Sequence, residues 1–440
     1  MATYDPNVPL YWDEKDLDGE LDRIFDVCNG CRLCYNLCPS FPAMLDAFDA
    51  ADDAGATALP MAVKRQVEDL CFQCKVCYDV CPYKPPHRFD LDFPRLVLRA
   101  RAQRARREGV KREDRFLGDP DRTGRMGSGA MAPVANWSVG LGPVRALMEG
   151  TVGIDRRRRL PRFARVTFRR WFGRRPPAPA AAGAAGGGEE VTLFVSCLVN
   201  FQHPEVGRAA VAVLEHNGVR PRLVEGEVCC GMPALDGGDM ARAQALARAN
   251  VAALLPAVRA GRKVLVAEPT CGFMLKKEYP VLLGTEEARE VASATWDLGQ
   301  YLADRAKAGT LRREFPGPGP GKVTYHLPCH LRAQNVGAPA QAVLSLIPGT
   351  EVEVVERCSG MDGTWGMKHA YYDLSLGVAR RLLAKVEATP ADGQVCSDCA
   401  LAGLQIEQAS GRGVRHPVEI LARAYGLEDG ATAGGKDASA

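Results

Sequence analysis

Eight cysteines near the start of the chain fall into two copies of one frame, C-x2-C-x2-C-x3-C-P. The first runs Cys28, Cys31, Cys34, Cys38 and Pro39; the second runs Cys71, Cys74, Cys77, Cys81 and Pro82. Three cysteines so spaced wrap one face of a [4Fe–4S] cubane, and the fourth reaches the neighbouring cluster. The frame therefore predicts Cys28, Cys31, Cys34 and Cys81 around one cluster and Cys71, Cys74, Cys77 and Cys38 around a second. Zinc sites present C-x2-C pairs rather than this run. The proline ends the local turn and removes a competing backbone donor.

Composition narrows the setting. The chain has 440 residues, enough for about three domains as a prior, and 16 cysteines in all. The first 20 residues are acidic and lack the apolar centre of an export signal, so the cysteines point to metal ligation rather than disulfides. Thiolates that stay reduced fit the cytoplasm. No apolar run reaches the ~18 residues that a membrane span needs. A net charge of +3 gives no reason to expect nucleic acid.

Residues 1–20 read as a polar arm and 21–115 as a helical two-cluster ferredoxin domain. Within it, Phe41 to Leu70 is an insertion, helical over Met61–Asp69, and 95–115 reads as an exposed helix. The acidic run Asp46–Asp53 reads as solvated surface. Residues 116–175 form a basic amphipathic connector. Trp137, Leu141, Val144, Leu147 and Met148 repeat at helical spacing there, and between 156 and 175 stand ten arginines and no acidic residue. With Trp171 and Phe172 interleaved, that stretch is expected to lie on an anionic membrane surface or on a partner; the competing reading packs it on the chain's own acidic faces. Residues 176–190, rich in Pro, Ala and Gly, are a linker, and 431–440 a disordered tail.

After the linker the chain repeats itself. Val191–Ser196 reads as a strand ending at Cys197, followed by a helix, then Cys229 and Cys230, a long helix over Met240–Arg259, a strand from Lys263, and Cys271. The order recurs: a strand over Lys322–His326, Cys329, a helix, a strand over Glu351–Val355, Cys358, a helix, then Cys396 and Cys399. Alternating strands and helices predict parallel βαβ units. The cysteines fall beyond strand carboxyl ends, where open α/β sheets place ligands. The expected architecture is thus α+β and multidomain, with a duplicated α/β region over 191–315 and 322–430 whose halves face each other across a redox site.

Four stretches carry a resemblance: Cys229–Pro233, Glu268–Tyr279, His326–His330 and Cys358–Lys368. They resemble the cysteine-rich CCG family, which includes the catalytic subunit of heterodisulfide reductase, iron–sulfur subunits of glycolate and lactate oxidation systems, and the C subunit of anaerobic glycerol-3-phosphate dehydrogenase. Two ferredoxin frames followed by two such modules are most similar to that C subunit and to the fused D-type subunit of heterodisulfide reductase. The resemblance implies one or two further iron–sulfur clusters in the C-terminal region, held by Cys197, Cys229, Cys230 and Cys271 and by Cys329, Cys358, Cys396 and Cys399. It departs from the five-cysteine pattern of the full module: Met274 stands where a C-x2-C partner is expected in the first copy, and Ser359 replaces a cysteine in the second.

The function implied is an electron-transfer subunit. Electrons would come from a flavoprotein or other redox subunit and leave for an acceptor such as quinone, the protein lying at the inner face of the cytoplasmic membrane. The alternative is a disulfide reductase acting at the C-terminal clusters. No Gly-rich dinucleotide fingerprint occurs in a suitable context, so a flavin would belong to another chain. Among single residues, His330 suits hydrogen bonding to a cluster or proton carriage, His203 a turn or cap, Lys368 and His369 an anion, and Met274 the core.

Overall fold

The computed structural model describes residues 4–52, 54–176 and 188–427. The linker from 177 to 187, Asp53 and the tail lie outside the described residues. The N-terminal region is helical. Its first long helix, Glu14–Cys31, starts inside the expected arm because Leu17, Leu21, Ile24 and Phe25 recur on one face and are buried. Asp13 caps it by accepting from the Asp16 N–H at 2.8 Å. Helices Ser40–Ala50, Met61–Leu70 and Phe93–Glu108 complete one core around Phe25, Phe41, Met44, Phe48 and Leu96. The segment before Glu14 is docked rather than free. Tyr11 is buried and its carbonyl accepts from Arg99 Nε at 2.8 Å, while Asn7 donates to the Leu282 carbonyl at 3.2 Å. It thus ties the N-terminal domain to the first C-terminal copy.

The C-terminal region holds two four-stranded, all-parallel sheets. The first contains β1 (Glu190–Phe194), β2 (Arg220–Arg222), β3 (Lys263–Val266) and β4 (Thr295–Asp297), in the order β2-β1-β3-β4. The second contains β5 (Lys322–His326), β6 (Glu351–Val355), β7 (Gln394–Ser397) and β8 (Val414–Arg415), in the order β6-β5-β7-β8. One topology drawn twice is what a duplicated α/β unit requires. The copies share a core: Val191, Leu193 and Leu265 of the first lie in one cluster with Val323, Tyr325, Leu421 and Tyr425 of the second. Helix Pro417–Ala424 packs on helix Pro204–His216 across the boundary.

The arginine stretch is where the sequence expectation needs correcting. Phe168 is fully buried, and Trp171 and Phe172 pack against the shared core, so neither aromatic is left for a membrane. The charges are largely used inside the molecule. Arg157 pairs with Asp155 and Asp373, Arg156 with Glu149, Arg159 with Glu407, Arg169 with Glu227 and Arg175 with Glu215. Arg158 is enclosed, donating to Gln405 Oε1 and to Ser375 Oγ. The apolar series from Trp137 to Met148 splits into two helices, Ala132–Ser138 and Gly142–Val152, and leaves Trp137 67% and Leu147 65% exposed, beside exposed Met126, Met131 and Val134.

Candidate iron–sulfur sites

Helix Glu14–Cys31 delivers Cys28 and Cys31 in its last turn and stops at Arg32, which takes a left-handed φ of 53°. The chain then turns back through Cys34 to Cys38. In the second frame, Gln73 (φ 58°) and Lys75 (φ 63°) are also left-handed. Such torsions cost a non-glycine residue free energy and persist where the surroundings impose them; here they curl the loop so that its cysteines converge. Cys28 lies beside Cys34, Cys81 and Cys31. Cys77 lies beside Cys74, Cys71 and Cys38, with Cys34 of the other group next in range. The two frames thus exchange their fourth cysteines, and the two groups abut.

All 16 cysteines are free thiols. Burial, then Cys81 and Cys31, push Cys34 up to about 12, and burial carries Cys74 and Cys77 well above the usual thiol range. Buried thiols gathered this way stay protonated unless a cation holds them as thiolates. The donor set therefore suits iron–sulfur clusters. Lys75 brings a positive charge to the second group: it is buried, donates to Gln73 Oε1 at 2.8 Å, and faces Glu278 Oε1 at 3.5 Å.

The first C-terminal copy gathers Cys197, Cys229, Cys230 and Cys271 into one contiguous group, each thiol against the next. Cys197 and Cys329 each stand three residues beyond the end of a central strand, in short helices Cys197–Phe201 and Cys329–Arg332. In both copies a glycine amide donates to a cysteine sulfur two residues back, Gly231 to Cys229 at 3.5 Å and Gly360 to Cys358 at 3.3 Å. Cys229 and Cys358 are thus equivalent, and Ser359 occupies the place of Cys230.

Strand register settles the remaining positions and corrects two sequence expectations. Phe194 of β1 pairs with Val266 of β3, and His326 of β5 pairs with Ser397 of β7. Counting on from the equivalent Val266 and Ser397, Cys399 corresponds to Glu268 and Ala402 to Cys271. Met274 is therefore not the missing partner; it is a fully buried core residue. Cys396 corresponds to Leu265, and both lie in the core shared by the copies. Its backbone is locked opposite Tyr325, and it is set apart from the other thiols, with Asp398 the one charged group acting on it. Successive strand residues face opposite sides of the sheet, and the side of Cys396 is filled by the shared core, so Cys396 does not join the group. Cys329, Cys358 and Cys399 do come together, with Asp362 and Cys74 in range of Cys329.

His330 stands where three modules meet. Its Nδ1 is 2.9 Å from Thr270 Oγ1, next to Cys271, and its Nε2 is 3.1 Å from the carbonyl of Gln73, between Cys71 and Cys74. Phe273 stacks on its ring at 5.2 Å. Burial lowers its pKa to about 4, so the ring is neutral near pH 7. Glu268, another residue that motif reading passes over, is buried and held up at about 7 by burial against the opposing pull of His203. Its Oε1 accepts from the Ala400 N–H, beside Cys399, at 3.4 Å. His203 itself holds Glu205 at 3.0 Å at the head of its helix. Lys368 is taken by Asp114 at 2.5 Å and His369 by Asp155 at 3.1 Å, so the first clamps the end of the N-terminal domain, and the second the connector, to the second copy. Asp49 and Asp46 engage Arg32 and Tyr35 at the surface.

Residues 21–107 match the Fer4-like domain of citrate utilization protein B, and residues 191–276 and 323–405 each match the cysteine-rich CCG domain. The fold and its grouped thiols define an iron–sulfur electron-transfer protein built on a ferredoxin-like head and a paired cysteine-rich body. The chain is 34% identical to the C subunit of the anaerobic glycerol-3-phosphate dehydrogenase of Escherichia coli (strain K12), over 67% of this chain and 72% of that protein, and it belongs to the same family. It is also 28% identical to the B subunit of the fumarate reductase (CoM/CoB) of Methanothermobacter marburgensis, over 54% of this chain and 47% of that one. With lactate utilization protein A of Bacillus licheniformis the identity is 29%, over 53% of this chain and 96% of that one. No helix among the described residues is long and apolar enough to cross a membrane.

Proposed function

We propose that the chain is the electron-relay subunit of a respiratory-type oxidoreductase, taking electrons from a flavoprotein or similar redox subunit and delivering them toward quinone. One observation carries the reading. Cys38 and Cys74 of the second ferredoxin group share the walls of a single cavity of about 790 Å³ with Cys329, Cys358 and Cys399. Bound at these thiols, [4Fe–4S] clusters supply one-electron exchange. The residues supply the order of the relay. Cys28, Cys31, Cys34 and Cys81 hold the first station, and Cys38, Cys71, Cys74 and Cys77 the second. The third is held in the second copy, and Cys197, Cys229, Cys230 and Cys271 hold the fourth. His330 ties the last three together while carrying no charge. The names of the relatives as dehydrogenase and reductase subunits support a partner chain, and the absence of a five-cysteine set in either copy counts against disulfide cleavage. The exposed Met131, Val134, Trp137 and Leu147, rather than Trp171 and Phe172, are the surface for a partner or a membrane face.

The test is anaerobic isolation of the full chain with iron and sulfide analysis and paramagnetic resonance after dithionite. About eight irons on the ferredoxin half, and reoxidation of the reduced protein by a soluble quinone, are expected. Colourless protein, or zinc in place of iron, overturns the proposal.

A further inference from the structure

The two copies offer unequal ligand sets. Register and loop geometry define five equivalent positions. The first copy fills them with Cys197, Cys229, Cys230, Glu268 and Cys271; the second fills them with Cys329, Cys358, Ser359, Cys399 and Ala402. The first copy therefore has the four thiolates that one cluster takes. The second has three, because Cys396 is committed to the core.

Three side chains are near enough to complete the second set. His330 has both ring nitrogens engaged, by Thr270 and by Gln73. Ser359 Oγ accepts from the Met361 N–H at 3.4 Å. Asp362 is different. Its carboxylate accepts no hydrogen bond among the described residues, and one of its oxygens lies with Cys329 Sγ and a ring nitrogen of His330 in a group whose ligand atoms are all within 4.8 Å of one another. The backbone is bent to put it there: Asp362 has a φ of 31° between Gly360 and Gly363 at 72° and 55°. A non-glycine residue in that region is strained, so the loop gives up stability for this placement. Asp362 also lines the same cavity as Cys329, Cys358 and Cys399.

We propose that Asp362 supplies the fourth ligand to an iron–sulfur cluster held by Cys329, Cys358 and Cys399. The inference rests on the relay reading above and adds a chemically distinct iron to it. A carboxylate is a harder ligand than a thiolate. The iron it holds is the one that leaves first: on mild oxidation the [4Fe–4S] cluster gives one electron to ferricyanide and releases one ferrous ion, leaving a [3Fe–4S] cluster on the three cysteines. Asp362 lines that cavity together with Arg332, Arg357, Arg380 and Arg381, so an iron held there would have cationic side chains around it.

The experiment uses the full chain, isolated anaerobically with 57Fe and read by Mössbauer and paramagnetic resonance before and after stoichiometric ferricyanide. In the parent protein one three-iron signal per chain is expected on oxidation. Asp362→Ala should show that signal as isolated and carry about one iron fewer; Asp362→Cys should suppress it even after oxidation. Because Asp362→Ala can fail to fold, the Asp362→Cys result stands as an independent arm. An Asp362→Ala protein with the parent's spectra and iron content, or a Ser359→Ala protein that shows the loss instead, overturns the proposal. Cys399→Ala, which leaves no donor atom, separates it from the underlying reading. If Cys399→Ala loses no iron, no cluster sits in the second copy and both fall; if it loses irons while the Asp362 variants stay silent, only the carboxylate ligand falls.

Discussion

Removing Arg158 tests whether the arginine stretch is a structural clamp. Its side chain is 1% exposed and bridges the connector to helices Tyr372–Glu387 and Ala400–Ser410 of the second copy. It donates to Gln405 Oε1 and Ser375 Oγ, and its guanidinium sits 4.5 Å from the Tyr372 ring centre. Arg158→Ala strands the Gln405 acceptor, at about 1–3 kcal/mol, and opens a side-chain cavity, at about 2–4 kcal/mol. Relief of burying a cation that makes no ion pair among the described residues offsets part of this. The net expectation is a local loss of about 2–4 kcal/mol. At ~1.4 kcal/mol per tenfold, the open population of 156–175 rises about 30- to 700-fold. Chymotrypsin cleavage at Phe163, Trp171 and Phe172 reads this directly when opening is faster than cutting. Arg162→Ala, at an exposed position, should change the cleavage rate less than about threefold, within the ~0.5 kcal/mol of an ordinary surface substitution. Arg158→Met with Gln405→Leu should restore most of the loss by removing the orphan and filling the space. Equal cleavage of Arg158→Ala and Arg162→Ala would refute the clamp.

Three further outcomes follow from the same structure. Cys396→Val should keep the parent's full iron content and spectra, because Cys396 fills the place that Leu265 fills in the other copy; iron analysis checks it. Gly360→Ala should destabilise the second copy by about 2–3 kcal/mol or more, since an added Cβ would meet the Ser375 carbonyl oxygen at 2.1 Å at a φ of +72°; it should lower the urea midpoint and loosen iron under chelator. Burial lowers His416 from 6.5 to about 4. Its neutral form belongs to the folded state, so the unfolded chain takes the proton first and stability falls as pH drops from about 6.5 toward 4, by an amount on the order of 1–3 kcal/mol. His416→Asn, which keeps a capping acceptor, should flatten that slope in anaerobic denaturation at pH 7 and pH 5.

Much of this was legible because it depends on spacing along the chain. The ferredoxin frames are local, so the sequence alone groups their eight cysteines as the fold does. The strands Lys322–His326 and Glu351–Val355 and the helix Met240–Arg259 have periodicities that tertiary contacts do not override. Cys396 was not legible: C-x2-C reads as a ligand pair, and only the pairing of β7 with β5 shows that its first member points into the core. The clamp role of the arginines was hidden for a related reason. Their carboxylate partners, among them Asp373, Glu227 and Glu407, lie far along the chain, and a run of one charge sign looks unpaired until the fold brings the other sign to it. Strands Thr295–Asp297 and Val414–Arg415 are too short to announce themselves. Asp362 and Glu268 are single carboxylates whose setting exists only after two loops meet.

The core that both sheets share has a consequence for how the molecule is made. Helix Pro417–Ala424, the last described helix, covers helix Pro204–His216 of the first copy. A nascent chain therefore cannot seal its first sheet until helix Pro417–Ala424 has left the ribosome. The head domain is different. Its own apolar cluster is drawn entirely from the N-terminal segment, so it can close, and receive metal, while synthesis continues. Loading would then run in two stages, and a product stalled before helix Pro417–Ala424 would be filled at the head, open at the body, and ready for a protease.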